Sequence, residues 1–185
     1  MPEVDIKILK AIHERGTATV GDLVQIFGEP YTISDLSAHL GWLEKRDFLE
    51  MVCNEPLTYK VSGLGLITLG VLPREARSVF LSVPPEKCFR FCTDTGAYKS
   101  TGIVACSLSD FYEKVKTIDA KALEFHVPRG DMEKWFKDVL GDEKLAQSIS
   151  KIRQQNLKGD QLRNQILNVT NLRIRELTSS GKPQG

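Results

Sequence analysis

Apolar residues recur at helical spacing three times in the first 45 positions. In "VDIKILKAIHERG", Ile6, Leu9 (with Ile8) and Ile12 make one stripe, and Gly16 stands where a helix stops. "TVGDLVQIFG" repeats the plan, with Val20, Leu23, Val24 and Phe27 inward and Gly28 closing it. "YTISDLSAHLGWLEKRDFLE" predicts a third helix with a core stripe of Ile33, Leu36, Leu40 and Leu43, capped by Thr32 or Ser34. The pattern then changes period. "FLEMVCNEPLTYKVS" alternates apolar and polar around "CNEP", which predicts a short hairpin.

Three helices followed by a hairpin resemble the winged helix-turn-helix domain common in archaeal and bacterial regulators, over roughly residues 3–72. "LSAHLGWLEKRDFLEMV" is similar to that family's recognition helix running into the first wing strand, and "TYKVSGLG" to its return strand. The resemblance implies a three-helix domain with a β-hairpin wing. The spacing adds a face. With Leu36, Leu40 and Leu43 inward, Ser34, Ala38, Gly41 and Lys45 point outward, beside Ser37 and Trp42. Small residues permit close approach to a groove, and serine can bond bases or phosphates. Affinity for a duplex comes largely from Lys and Arg on phosphates. Lys45, Arg46 and Lys60 are the candidates here, opposed by Asp35, Glu44 and Glu55. The candidate DNA-binding set is Thr32, Ser34, Ser37, Ala38, Gly41, Lys45, Arg46 and Lys60. A homodimer would double its phosphate contacts. The alternative is a wing domain that contacts another protein, since fold alone does not decide function.

"SGLGLITLGVLPREARSVFLSVPPEK" is apolar but spaced by Gly63, Gly65 and Gly70, so burial must hold whatever it forms, a fourth helix or a surface for a second chain. Pro84-Pro85 breaks helix and central strand and places the domain boundary near residues 80–86. "KCFRFCTDTGAYKSTGIVACSL" then reads as two strands around "TDTG", with Phe89 and Phe91 on one face and Cys88, Arg90 and Cys92 on the other. "SLSD" predicts a capping box on Ser107 and Asp110, opening a helix that buries Leu108, Phe111, Tyr112 and Val115. Asp119 caps a short helix carrying Leu123, Phe125 and His126, which Pro128 ends.

From Asp131, placed as an N-cap, Met132, Trp135, Phe136, Val139 and Leu140 form one apolar face, with Glu133–Lys137 and Lys134–Asp138 as i,i+4 pairs opposite. Gly141 ends that helix and Asp142 caps the next, with Leu145, Ile149 and Ile152 inward. His126 and Arg129 are left over. His126 lies at a helix C-terminus, which favours its protonated form, and Arg129 has Asp131, Asp142 or an outside anion as partners. A hydrogen-bonded lock between helices is weighed against a ligand pocket of His126, Arg129 and Trp135. Catalysis would need a positioned partner group, and none is announced. Phe125, His126, Arg129, Gly130, Asp131, Trp135, Gly141, Asp142, Leu145 and Ala146 resemble the signature of an uncharacterised, mainly archaeal domain family over roughly residues 88–153, with Met132 where that pattern favours Phe. The resemblance implies no activity.

After Gly159, Asp160 caps a helix whose stripe of Leu162, Ile166, Val169 and Leu177 is interrupted by Arg173 and flanked by Leu167 and Ile174. It packs on its own domain or on a second chain. "TSSGKPQG" reads as a disordered end.

Composition changes the picture in three places. A hydrophobic fraction of 41% in 185 residues supports folded cores. Net charge +1 hides an asymmetry: residues 1–80 hold 8 Lys/Arg against 11 Asp/Glu, and residues 151–185 hold 7 against 2. No apolar run is long enough to span a bilayer and the N-terminus lacks a secretion-signal layout, so the expected address is cytoplasmic, with no membrane partner and all four cysteines reduced. A zinc site from Cys88, Cys92, Cys106 and His126 is disfavoured, because C-x3-C on a strand separates its sulfurs by about 13 Å. Arg129-Gly130-Asp131 matches an integrin-binding tripeptide by chance. No phosphate loop, dinucleotide glycine pattern or metalloprotease motif occurs. The chain therefore reads as a non-enzymatic mixed-fold protein without metal or cofactor. Its N-terminal winged helix spans residues 1–80, an α+β domain of hairpin and helices spans 86–178, and a tail spans 179–185. The expected function is a dimeric DNA-binding regulator, the second domain serving as sensor or assembly module.

Overall fold

Helix α1 (Glu3–Arg15), strand β1 (Ala18–Thr19), helices α2 (Val20–Phe27) and α3 (Ile33–Lys45), and strands β2 (Leu49–Asn54) and β3 (Leu57–Val61) follow one another along the first part of the chain. The structure, a computed structural model, describes residues 1–93 and 99–179. These fall into two compact units, Met1–Arg74 and Glu75–Ser179.

In the first unit, local chemistry sets the helix ends. Thr19 and Thr32 each cap the following helix in a reciprocal box with Asp22 and Asp35, which is worth about 1 kcal/mol per cap. The three helices turn Ile8, Leu9, Ile12, Leu23, Leu36, Leu40 and Leu43 into one core, closed by Leu49 and Tyr59 from the sheet. Each large apolar side chain so buried contributes about 1.5–3 kcal/mol. The strands pair antiparallel in the order β1-β3-β2, leaving β2 at an edge. One expected core residue is misplaced. Ile33 is 65% exposed, because it begins α3 and lies outside the turns that face the other helices. Helix α4 (Gly63–Thr68) follows, capped by Ser62, whose hydroxyl also donates to the Asp47 carbonyl. Gly65 is required there: a β-carbon would strike the Phe48 carbonyl and the Val61 side chain.

The second unit contains α5 (Arg77–Phe80), β4 (Phe89–Cys92), β5 (Ser100–Ala105), α6 (Leu108–Thr117), α7 (Ala120–Arg129), α8 (Asp131–Lys134), α9 (Glu143–Gln154) and α10 (Gly159–Ser179). Phe89 and Phe91 do share a face, packing on each other at 4.9 Å and on Phe111. Phe136 and Trp135 extend this aromatic core. Helix α10, 21 residues and so about 31 Å long, packs against α6, α7 and α9 through Leu162, Ile166 and Leu177. Among the described residues, no helix is long and apolar enough to cross a membrane. The "TDTG" turn lies, beyond Thr93, outside the described residues. Of the expected disordered end, Thr178 and Ser179 instead continue α10, and the residues after Ser179 lie outside the described residues.

Several expectations are corrected. Cys88 and Cys106 are joined in a disulfide and not reduced; the register that sets Phe89 opposite Ala105 brings their Cα atoms to 4.4 Å. Cys53 and Cys92 remain free thiols. Helix α7 passes through Pro128 and ends one residue later, where Gly130 turns left-handed at φ 72°. Gly130, and not Asp131, holds the N-cap place of α8, and the Asp131 carboxylate meets His126 and Arg129. The apolar face from Met132 survives, but the helix widens into a π-helical turn over Trp135–Val139. That widening undoes the i,i+4 spacing: Glu133 pairs with Arg153 and Lys137 with Glu143. Asp110 reaches back to the Cys106 N–H, one residue before the expected one, while Ser107 caps α6.

Candidate functional site

The solvent face of α3 is built by its core face. With Leu36, Leu40 and Leu43 locked inward, Ser34, Ser37, Ala38, Gly41, Lys45 and Arg46 are all exposed, forming a ridge of small side chains that ends in two cations. Thr32 lies at its N-terminal end but is occupied as the cap: its hydroxyl donates to Asp35 Oδ2 at 2.6 Å and accepts the Asp35 N–H. The Thr32 hydroxyl and the Thr32 backbone N–H, which donates to the same oxygen at 2.9 Å, hold the Asp35 carboxyl below its usual pKa. The Ser37 hydroxyl donates to the Ile33 carbonyl. Arg46 lies 4.4 Å above the Trp42 ring, which stacks in turn on Phe48. Lys60, on β3, is tied to Glu50 of β2 at 2.9 Å. The hairpin of β2 and β3 carries exposed Met51, Val52 and Leu57, so it is more apolar than its sequence period suggested.

Asp5 and His39 form a pair that the sequence reading missed. Asp5, in the first turn of α1, is 1% exposed, and its Oδ1 lies 2.6 Å from Nδ1 of half-buried His39 on α3. The residues are 34 positions apart, and only the packing of α1 on α3 joins them. Beside them runs a groove of about 250 Å³, walled by Pro2, Ala38 and Trp42.

In the second unit, His126 is held from both sides. Its Nε2 accepts the Cys92 backbone N–H at 2.8 Å, and its Nδ1 meets Asp131 Oδ2 at 2.8 Å. An acceptor Nε2 makes Nδ1 the protonated nitrogen of a neutral ring. Burial pushes the imidazole below its ordinary pKa, and the Asp131 carboxylate opposes that only in part. The helix end favours a protonated ring, but an Nε2 that accepts the Cys92 N–H belongs to the neutral one, and burial lowers the pKa in the same direction. Arg129 donates to the same Asp131 oxygen at 3.0 Å, and Trp135 Nε1 donates to the Lys87 carbonyl at 2.8 Å. The three residues are therefore near one another, and these polar contacts tie them to the protein itself. A groove of about 270 Å³ beside the π turn is lined instead by Glu133, Lys134, Lys137, Asp138, Glu143 and Gln147. Cys88 and Cys106 are bonded to each other, and among the described residues no group of three His, Cys, Asp or Glu side chains is placed to hold a metal.

The second unit also answers to a known pattern. A model described as Family of unknown function (DUF5752) matches residues 86–182, more than half of the chain. The chain belongs to this family. The DUF5752 match takes in the strands and helices from β4 through α10, with His126, Asp131, Trp135 and Asp142, and leaves residues 1–85 outside it. Neither the curated proteins nor the solved structures yield a match.

Proposed function

We propose that the first unit is a winged helix-turn-helix domain that binds duplex DNA through α3, and that the protein is a dimeric transcriptional regulator whose DUF5752 unit serves sensing or assembly. The observation that carries this reading is the exposed ridge of Ser34, Ala38, Gly41 and Lys45, smooth enough for a groove and ending at Arg46. The order of helices and strands, and a sheet arranged β1-β3-β2, support the winged helix itself. Two copies side by side would supply the phosphate contacts that one mildly acidic unit lacks. In this reading His126 is a lock between β4 and the α7–α8 junction, without a reaction to perform. A mobility-shift titration of the full chain tests it. Wild type shifts duplex DNA with a steep salt dependence, and Lys45→Glu with Arg46→Glu abolishes the shift.

A second reading has its own observation. Met51, Val52 and Leu57 are exposed on the hairpin, and Lys60 is paired with Glu50. That hairpin suits a protein contact better than a phosphate backbone. On this reading no duplex is shifted at low salt and a partner polypeptide co-purifies.

A further inference from the structure

The solvent face of α10 differs from those of α1 and α6. On those two helices exposed charges stand in pairs, Glu3 with Lys7, Asp110 with Lys114 and Glu113 with Lys116. On α10 the exposed positions from Gln161 to Leu172 are Gln161, Asn164, Gln165, Asn168 and Leu172, and none is charged. The arginines of the same helix are engaged on its inner side, Arg163 donating to the Val115 carbonyl and Arg173 to Asp142. Among the described residues, none of the four amide side chains has a hydrogen-bond partner, and Leu172 is 52% exposed. Helical spacing aligns Gln161, Asn168 and Arg175 along about 21 Å of the helix, with Asn164 and Asn171 on one flank and Gln165 and Leu172 on the other. Charge returns only at the two ends. Asp160 is exposed at one, and Arg175 at the other, where among the described residues it has no ion pair.

Depletion of charge is what separates the centre of a protein contact from ordinary surface. A side-chain amide carries both donors and acceptors, so a face of amides is complementary to itself. We infer that this face of α10 joins two copies of the chain, packed antiparallel about a two-fold axis at Asn168. The inference rests on the dimer proposed above and names its interface; it does not draw on DNA binding. Antiparallel packing sets Asn168 against the partner's Asn168, Asn164 against the partner's Asn171, and Gln165 against the partner's Leu172. Asp160 then lies level with the partner's Arg175, once at each end. A parallel pair would set Asp160 against the partner's Asp160 and Arg175 against the partner's Arg175, so charge selects the antiparallel arrangement. The central amides fix the register, as one buried asparagine does in a coiled coil. With a single leucine from each copy, the contact suits micromolar affinity.

The test is sedimentation velocity of the full-length protein from about 1 to 300 μM, with a thermal melt of every variant. Wild type is expected to reach the dimer within this range. Leu172→Glu, at a half-exposed position, should leave the chain monomeric with its melting temperature unchanged. Asp160→Arg and Arg175→Asp should each weaken the dimer about ten-fold, because each sets like charges level at both ends. An equimolar mixture of these two variants should recover wild-type affinity, since every end then joins opposite charges. That recovery requires two chains in contact through these residues, and a change in helix stability cannot imitate it. A wild-type dimer that Leu172→Glu leaves intact, or a mixture that recovers nothing, overturns the inference and leaves the dimer to another surface. A wild type that stays monomeric throughout the range overturns the dimer and the inference together.

Discussion

Arg173 on α10 donates to the carboxylate of Asp142 at 2.8 Å, with Asp142 1% exposed and Arg173 12%. Asp142 simultaneously caps α9 by accepting the Leu145 N–H. Burial works against the Arg173 charge, yet its bonds to Asp142 and Glu176 raise its pKa above the usual arginine value. Removing one member of a buried pair strands the other. Arg173→Met should therefore destabilise by about 3 kcal/mol or more in urea unfolding, despite preserving most of the apolar stem. A loss below about 1 kcal/mol would mean the pair is solvated.

His126 gives a pH signature whose sign follows from its depressed pKa. The unfolded ring titrates near 6.5 and the folded ring below it, so the unfolded state binds the extra proton between the two values. Stability is full above pH 6.5 and falls as pH drops through that window. Thermal melts from pH 7.5 to 5.5 should show the decline in wild type and a flatter profile in His126→Gln, which starts from a lower melting temperature.

The Cys88–Cys106 bridge closes a segment of 18 residues. A loop of that length lowers the entropy of the unfolded chain by an amount worth about 3 kcal/mol. Reductant should lower the stability of wild type by roughly that much and leave a Cys88→Ser, Cys106→Ser variant unchanged. Free-thiol titration of the unreduced, denatured protein should detect Cys53 and Cys92 but not the bridged pair.

Gly65→Ala tests the seat of α4. The added methyl meets the Phe48 carbonyl, which cannot rotate away, so about 1–3 kcal/mol of stability should be lost in chemical denaturation.

Most helices were legible because their stripes are local: Leu36, Leu40 and Leu43, or Leu145, Ile149 and Ile152, announce their faces by spacing alone. Ile33 obeyed the same spacing and failed, because a first-turn residue has a face only if another element reaches it. The two Gly-Asp pairs separate the local from the tertiary. Gly141-Asp142 is a helix junction as its sequence says, whereas Asp131 is drawn from its cap position by His126 and Arg129. The disulfide depends on strand register, and Asp5–His39 on helix packing across 34 positions; neither leaves a mark in a short window. Arg173 looked like a flaw in an apolar stripe and is the partner of a buried acid.

The central claim is that the exposed face of α3 binds duplex DNA. Fluorescence anisotropy of a labelled duplex, titrated with the full chain between 50 and 200 mM salt, roughly the range over which phosphate contacts weaken most visibly, measures this directly. The account predicts saturable binding whose logarithm falls linearly with log salt, and its loss in the Lys45→Glu, Arg46→Glu variant with an unchanged melting temperature. Binding that this variant retains in full, or no binding by wild type at the lowest salt, contradicts it.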